Sequence, residues 1–142
     1  MQALIVDKST ISIKTLKDLL TDNGYEVITA SNGEEGLKVL NKNPLCQLVI
    51  SEWHLPEMNG IEFCKAVRAQ YHLRYVYFMF LTSHCTSNEM LQCFTAGADD
   101  FVSKPYDPAE IIARLTAGTR VLNTLRVVCQ DCPLVTDLRP PL

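Results

Sequence analysis

The stretch Leu48-Val49-Ile50-Ser51-Glu52-Trp53-His54-Leu55-Pro56-Glu57-Met58-Asn59-Gly60 decides how this chain is read. Three apolar residues run into a small polar one and then an acid, the pattern of a buried strand that delivers a carboxylate to its C-terminal tip. Pro56 has no N–H to give to a sheet, and Asn59-Gly60 offers the backbone freedom of a sharp turn into a new helix. In an open α/β sheet, ligands and chemistry collect at the carboxyl ends of the strands. Glu52 therefore stands at a working position.

Working outward, Ala3-Leu4-Ile5-Val6 is a short buried strand ending in Asp7. From about Ser9 to Asn23, Ile13, Leu16, Leu19 and Leu20 recur at helical spacing, and Gly24 supplies the stop. Tyr25 to Thr29 reads as a second strand, and Asn32-Gly33-Glu34-Glu35 opens a helix whose first-turn acids suit its dipole. Pro44 closes that helix, and Ile61, Cys64 and Val67 mark a third one after Gly60. Val76 to Leu81 is a fully buried strand handing over to Thr82 and Ser83. A fourth helix, Ser87 to Ala96, is expected to turn Met90, Leu91 and Phe94 inward and to end at Gly97. Asp100 to Ser103 is the last strand, followed by Lys104-Pro105. Asp107-Pro108-Ala109-Glu110 has the form of a capping box, with Asp accepting from early N–H groups and Glu reaching back. The helix it opens is expected to run to about Arg126.

Strand and helix alternate five times with short connections, which demands a doubly wound parallel sheet with helices on both faces. Right-handed crossovers place the tips of strands 1, 3, 4 and 5 on one edge, so Asp7, Glu52, Thr82 and Lys104 converge although far apart in sequence.

The totals exclude several classes. A chain of 142 residues can bury a self-sufficient core, and 47% hydrophobic with 20% charged residues is ordinary for a globular domain. A net charge of -3 gives no support to direct nucleic-acid binding through a basic face. The N-terminus lacks a signal peptide's basic region, and the longest apolar run, Tyr75 to Leu81, is too short to span a bilayer. A cytoplasmic, non-membrane protein is expected. Cys46, Cys64, Cys85 and Cys93 fall in or beside core elements and read as free buried thiols. Cys129 and Cys132 form one C-x-x-C with neither a second ligand pair nor a strand-to-helix start, so neither zinc nor redox chemistry is expected of it.

These pieces together resemble the receiver domains of two-component response regulators. The likeness covers about Gln2 to Leu125. It rests on Leu4-Ile5-Val6-Asp7, Gly24-Tyr25-Glu26-Val27, Ala30-Ser31-Asn32-Gly33, Leu55-Pro56-Glu57-Met58-Asn59-Gly60, Leu81-Thr82-Ser83, Ala96-Gly97-Ala98-Asp99-Asp100-Phe101 and Lys104-Pro105-Tyr106, in that order. It implies a flavodoxin-like (βα)5 fold with strand order 2-1-3-4-5, and a cis peptide between Lys104 and Pro105 that aims the lysine at the site. It implies a receiver over 1–126 and a Pro-containing tail, or truncated linker to an output domain, over 127–142. It also implies a signalling role rather than catalysis.

In such domains an Asp takes the phosphoryl group, an acidic pair after strand 1 helps hold Mg²⁺, and a hydroxyl and a lysine meet the phosphoryl oxygens. Here the phosphoacceptor slot holds Glu52, and the second member of the acidic pair is Lys8. Thr82 and Lys104 match the pattern, and Phe101 sits at the switch aromatic, expected to favour burial. Asp7 and Glu52 set against Lys8 and Lys104 balance without a cation. Mg²⁺, which demands near-octahedral oxygens, is therefore expected to bind weakly or not at all. The added methylene of Glu52 displaces its oxygens by about 1 Å, enough to spoil in-line attack. An atypical, phosphorylation-independent receiver follows, in which Glu52 either pairs with Lys104 or Lys8 to imitate a phosphorylated Asp, or fills a position that has lost its chemistry.

Rival readings are a conventional phosphoacceptor using Glu52 and an FMN-binding flavodoxin-like protein. The second needs a phosphate-cradling loop after strand 1, and Asp7-Lys8-Ser9-Thr10 has no Gly and aims an acid at the phosphate. His54 and His84 lack ligand spacing and are expected to be solvated. Ser51 reads as a small strand-end residue, and Trp53 as a cover for the site. Partners are expected to be proteins (a sensor kinase, an output domain, or a second copy) meeting the face of helix 4, strand 5 and helix 5. Met90, Leu91, Tyr106 and Ile112 are the candidate contacts there.

Overall fold

The computed structural model describes residues 1–70, 74–83 and 86–131, with the side chains of 126–131 left aside. The elements are β1 (Gln2–Val6), α1 (Thr10–Asp22), β2 (Glu26–Ala30), α2 (Gly33–Lys42), β3 (Cys46–Ser51), α3 (Gly60–Gln70), β4 (Tyr77–Thr82), α4 (Ser87–Ala96), β5 (Asp100–Ser103) and α5 (Pro108–Asp131). The sheet is parallel in the order β2-β1-β3-β4-β5, as expected.

Side chains alternate across a strand, so a strand covered on both faces must be apolar throughout. β4 shows this: Phe78 and Phe80 enter one core with Val49, Phe63 and Val67, whereas Tyr77, Met79 and Leu81 enter the other with Ile50, Leu16 and Leu115. Cys46, Cys64 and Cys93 are fully buried thiols outside any disulfide, as the sequence suggested; Cys85, Cys132 and the remainder of the tail lie outside the described residues.

Ser9, Asn32, Asn59 and Thr86 cap α1, α2, α3 and α4 by accepting from the N–H three residues on. Four details differ from the sequence reading. The reciprocal capping box belongs to α4, where Thr86 and Glu89 exchange bonds. At α5, Asp107 does accept from Ala109, but Glu110 turns along the helix to Arg114 at 3.1 Å. Secondly, α4 buries Cys93 and Ala96, and Met90, Leu91 and Phe94 face outward at 42%, 65% and 43% exposure. Thirdly, α5 continues past Arg126 to Asp131, so the first residues assigned to a tail are helical. Lastly, the left-handed residue of the turn after β3 is Glu57 (φ 64°), not Asn59 or Gly60.

Candidate functional site

The strand register assembles the site. Val6 pairs with Ser51 and Thr82 with Ser103, so Asp7, Glu52 and Lys104 each stand one residue beyond a paired position. Glu52 N–H donates to the Val6 carbonyl at 2.9 Å, and Lys104 N–H donates to the Thr82 carbonyl at 2.8 Å. The peptide between Lys104 and Pro105 is cis.

Lys104 Nζ reaches both acids, 2.9 Å from Asp7 Oδ2 and 3.0 Å from Glu52 Oε2. The remaining carboxylate oxygens turn to main-chain donors. Asp7 Oδ1 accepts from Ser9 N–H at 2.9 Å, and Glu52 Oε1 accepts from Trp53 N–H at 2.9 Å and His54 N–H at 3.3 Å. Asp7 and Glu52 are 7% and 6% exposed, so two desolvated carboxylates meet a partly exposed ammonium.

Burial pushes the Glu52 carboxyl up, but the neighbouring Thr82 hydroxyl, the Lys104 ammonium and the His54 N–H outweigh it and hold the group below the ordinary glutamate value. Burial likewise pulls Lys104 down, and Asp7 and Glu52 more than reverse that. Thr82 Oγ1 is buried beside Glu52 yet closes no geometrically sound hydrogen bond there or elsewhere among the described residues. Its influence on Glu52 is one of proximity.

Lys8 departs from expectation. It is exposed and makes no ion pair among the described residues, because successive residues past a strand tip diverge. The buried cluster is thus two carboxylates against one ammonium, not a balanced set of four, and Glu52 takes Lys104 rather than Lys8. Phe101 is buried, 8% exposed, within the core on the α2, α3 and α4 side. Trp53 is 9% exposed and stacks on the exposed His54 at 6.0 Å, covering the site on that side. His84 lies outside the described residues, and among those described no three His, Cys, Asp or Glu cluster as metal ligands. Ser51 donates to the Glu52 carbonyl at 2.9 Å, a strand-end role.

Sequence reasoning missed one network. Arg68 of α3 donates to the carbonyls of Gly97 and Val76 and pairs with Asp99 at 2.9 Å, and Asp99 in turn accepts from Phe78 N–H and the Tyr75 hydroxyl. Burial and the Asp99 carboxylate push Tyr75 up to about 12. Asp99 stood within a quoted motif, but nothing in sequence links it to a residue 31 positions away.

Candidate contacts for a partner divide. Met90 and Leu91 are exposed, whereas Tyr106 and Ile112 pack against the α1 and α5 core. No described helix is long and apolar enough to cross a membrane.

Known proteins agree with this geometry. The family model described as the response regulator receiver domain matches residues 3–116. The chemotaxis protein CheY1 of Helicobacter pylori is 30% identical over 116 residues, covering 81% of this chain and 94% of that protein. The transcriptional regulatory protein KdpE of Mycobacterium tuberculosis is 34% identical over 134 residues, covering 94% of this chain and 57% of that protein. The structure of Vibrio cholerae chemotaxis protein CheY4 superposes with a TM-score of 0.76 at 31% identity, covering 82% of this chain and 96% of that one. The strand-tip site and these matches together make this chain a member of the response regulator receiver domain family.

Proposed function

We propose that this chain is an atypical receiver that signals by binding proteins, with the Glu52 carboxylate standing where a phosphorylated aspartate would stand. The observation that carries the reading is the divided use of Glu52: Oε2 on the Lys104 ammonium at 3.0 Å, Oε1 on the main-chain N–H groups of Trp53 and His54. The extra methylene projects negative oxygens past the position of an Asp carboxylate, toward a lysine and N–H donors already arranged for them. Burial of Phe101 supports the same state, whereas Thr82 stands close without having bonded.

The residues present fit Mg²⁺ poorly. Asp7 and Glu52 offer only oxygens already engaged by Lys104 and by N–H groups, and the position that would add a third carboxylate is Lys8. Under this reading the face of α4, β5 and α5 is held in its binding form without a phosphodonor, with exposed Met90 and Leu91 open to a protein partner or a second copy.

One observation favours the rival, a conventional Mg²⁺-dependent phosphoacceptor. With Lys8 exposed, the buried trio keeps an excess negative charge that a cation would relieve. Treatment with a small acyl phosphate and Mg²⁺ separates the two, since a phosphorylated carboxylate is cleaved by hydroxylamine and a mimic acquires nothing to cleave. The mimic is tested by Glu52→Gln, which keeps the shape and removes the charge. Hydrogen exchange in α4 and β5 should rise, and association through that face should weaken by the ~1–3 kcal/mol usual for coupled sites. If neither Glu52→Gln nor Lys104→Ala changes exchange or association, the carboxylate is inert.

A further inference from the structure

Between the start of α1 and the residues that follow β5 lies a cavity of about 250 Å³. Leu16 and Leu81, each 3% exposed, line it from the core, and Ile11, 78% exposed, lines it on the solvent side. Asp7, Lys104 and Tyr106 add polar groups to the same lining. Apolar walls with a few convergent polar groups are the make-up of small-molecule sites. An apolar cavity of about 150 Å³ already holds benzene, so this one has room for such a ring with a short chain attached.

The polar end of the cavity selects the charge of its occupant. Asp7 and Glu52 share the single ammonium of Lys104, at 2.9 and 3.0 Å, which leaves one negative charge over. Lys8 is exposed, and solvent screens its charge. A carboxylate can accept about four hydrogen bonds. Among the described residues the Asp7 side chain accepts two, from Ser9 N–H and from Lys104, so part of its accepting capacity is unused. An anion entering the cavity meets the surplus negative charge. A primary ammonium brings the cluster to two charges against two and donates to Asp7. Burial pushes the Tyr106 hydroxyl pKa up, so that group stays neutral and is a further acceptor on the same wall. Unlike Mg²⁺, an organic ammonium requires no octahedral set of oxygens.

We propose that this cavity binds a small arylalkyl amine, with its ammonium on Asp7 and its ring against Leu16, Leu81 and Ile11. The site stands on the charge of the cluster, whether or not Glu52 imitates a phosphorylated aspartate. It is also separate from the α4 face.

Calorimetric titration of the full chain with phenethylamine, in a chelating buffer of physiological ionic strength, tests it. A Kd of about 1 mM or tighter is expected for so small a ligand. Phenylethanol, which is neutral, and hydrocinnamate, which is an anion of similar shape, should each bind at least about tenfold more weakly. Backbone amide shifts should concentrate in residues 7–16 and 104–106. Asp7→Asn should weaken the amine about tenfold and leave phenylethanol unchanged. Glu52→Gln removes the surplus charge without touching the cavity wall, so it should also weaken the amine, and it carries the test if Asp7→Asn does not fold. Absence of amine binding up to about 10 mM overturns the proposal. So does equal or tighter binding of the alcohol or the anion, an amine affinity indifferent to both variants, or amide shifts that fall elsewhere.

Discussion

Lys104 holds two buried carboxylates at once, and the cost of desolvating three charges is offset only because each remaining oxygen finds an N–H donor. The consequence for pH has a definite sign. The Glu52 pKa is lower in the fold than in the unfolded chain, so its contribution is complete above the ordinary value of about 4.3 and fades as pH falls through the lower folded value. Lys104 is raised, so its contribution holds below about 10.4 and fades only as pH climbs through the higher folded value. Denaturant melts between pH 3 and 7 should show Glu52→Gln flattening the acid limb of the stability curve. An unchanged limb would mean that Glu52 is not bound as described. At this scale the meeting of Asp7, Glu52, Thr82 and Lys104 at one sheet edge was legible, since a strand tip shows where an apolar run stops. Side-chain direction past the tip is not so legible, and Lys8 was accordingly miscounted. Gly60 is instructive in the same way. It was read as a source of turn freedom, but a Cβ there would lie 2.6 Å from the Glu52 carbonyl and 2.7 Å from the Phe80 ring, so the reason for glycine is close packing.

Between elements, Arg68 acts as a clip. One guanidinium joins α3 to the end of α4 through Gly97, to the approach to β4 through Val76, and to the start of β5 through Asp99, while its plane lies 4.9 Å from the Tyr75 ring centre. Only a planar fork of donors does all of this together. Arg68→Ala should destabilise the domain by about 2–3 kcal/mol, the range for hydrogen bonds to a charged group left without partners. Arg68→Lys should recover little of it; full recovery in urea melts would show that charge alone matters. The clip was invisible in sequence because it spans distant positions with no periodicity. The orientation of α4 was misread for a related reason. Met90, Leu91 and Phe94 make an apolar stripe at helical spacing, and spacing alone does not say whether the core lies under it or under the smaller Cys93 and Ala96 on another side. Element order and strand pairing were legible because alternation with short connections leaves few parallel topologies.

For the whole molecule, the question is whether one strand tip has been fixed in one state or has become passive. Two positions distinguish this site, Glu52 and Lys8, and under the proposed reading each has its own effect. Glu52 occupies the Lys104 ammonium and the Trp53 and His54 N–H groups, which leaves the Thr82 hydroxyl as the unbonded donor beside it. Lys8 is exposed and sets no geometry, so its effect is a positive charge next to Asp7 and the absence of a carboxylate there. Glu52→Asp should therefore free the donors but leave the cation weakly held. Lys8→Asp should strengthen cation binding but leave the donors taken. Together they should restore millimolar Mg²⁺ binding, read by quenching of Trp53, and a hydroxylamine-labile phosphate after treatment with a small acyl phosphate. The gain should exceed the sum of the single effects, since each change removes an obstacle that hides the benefit of the other. If the double variant binds no Mg²⁺ while remaining folded, Glu52 and Lys8 are not what governs cation binding here, and the unbonded Thr82 hydroxyl is the next position to vary.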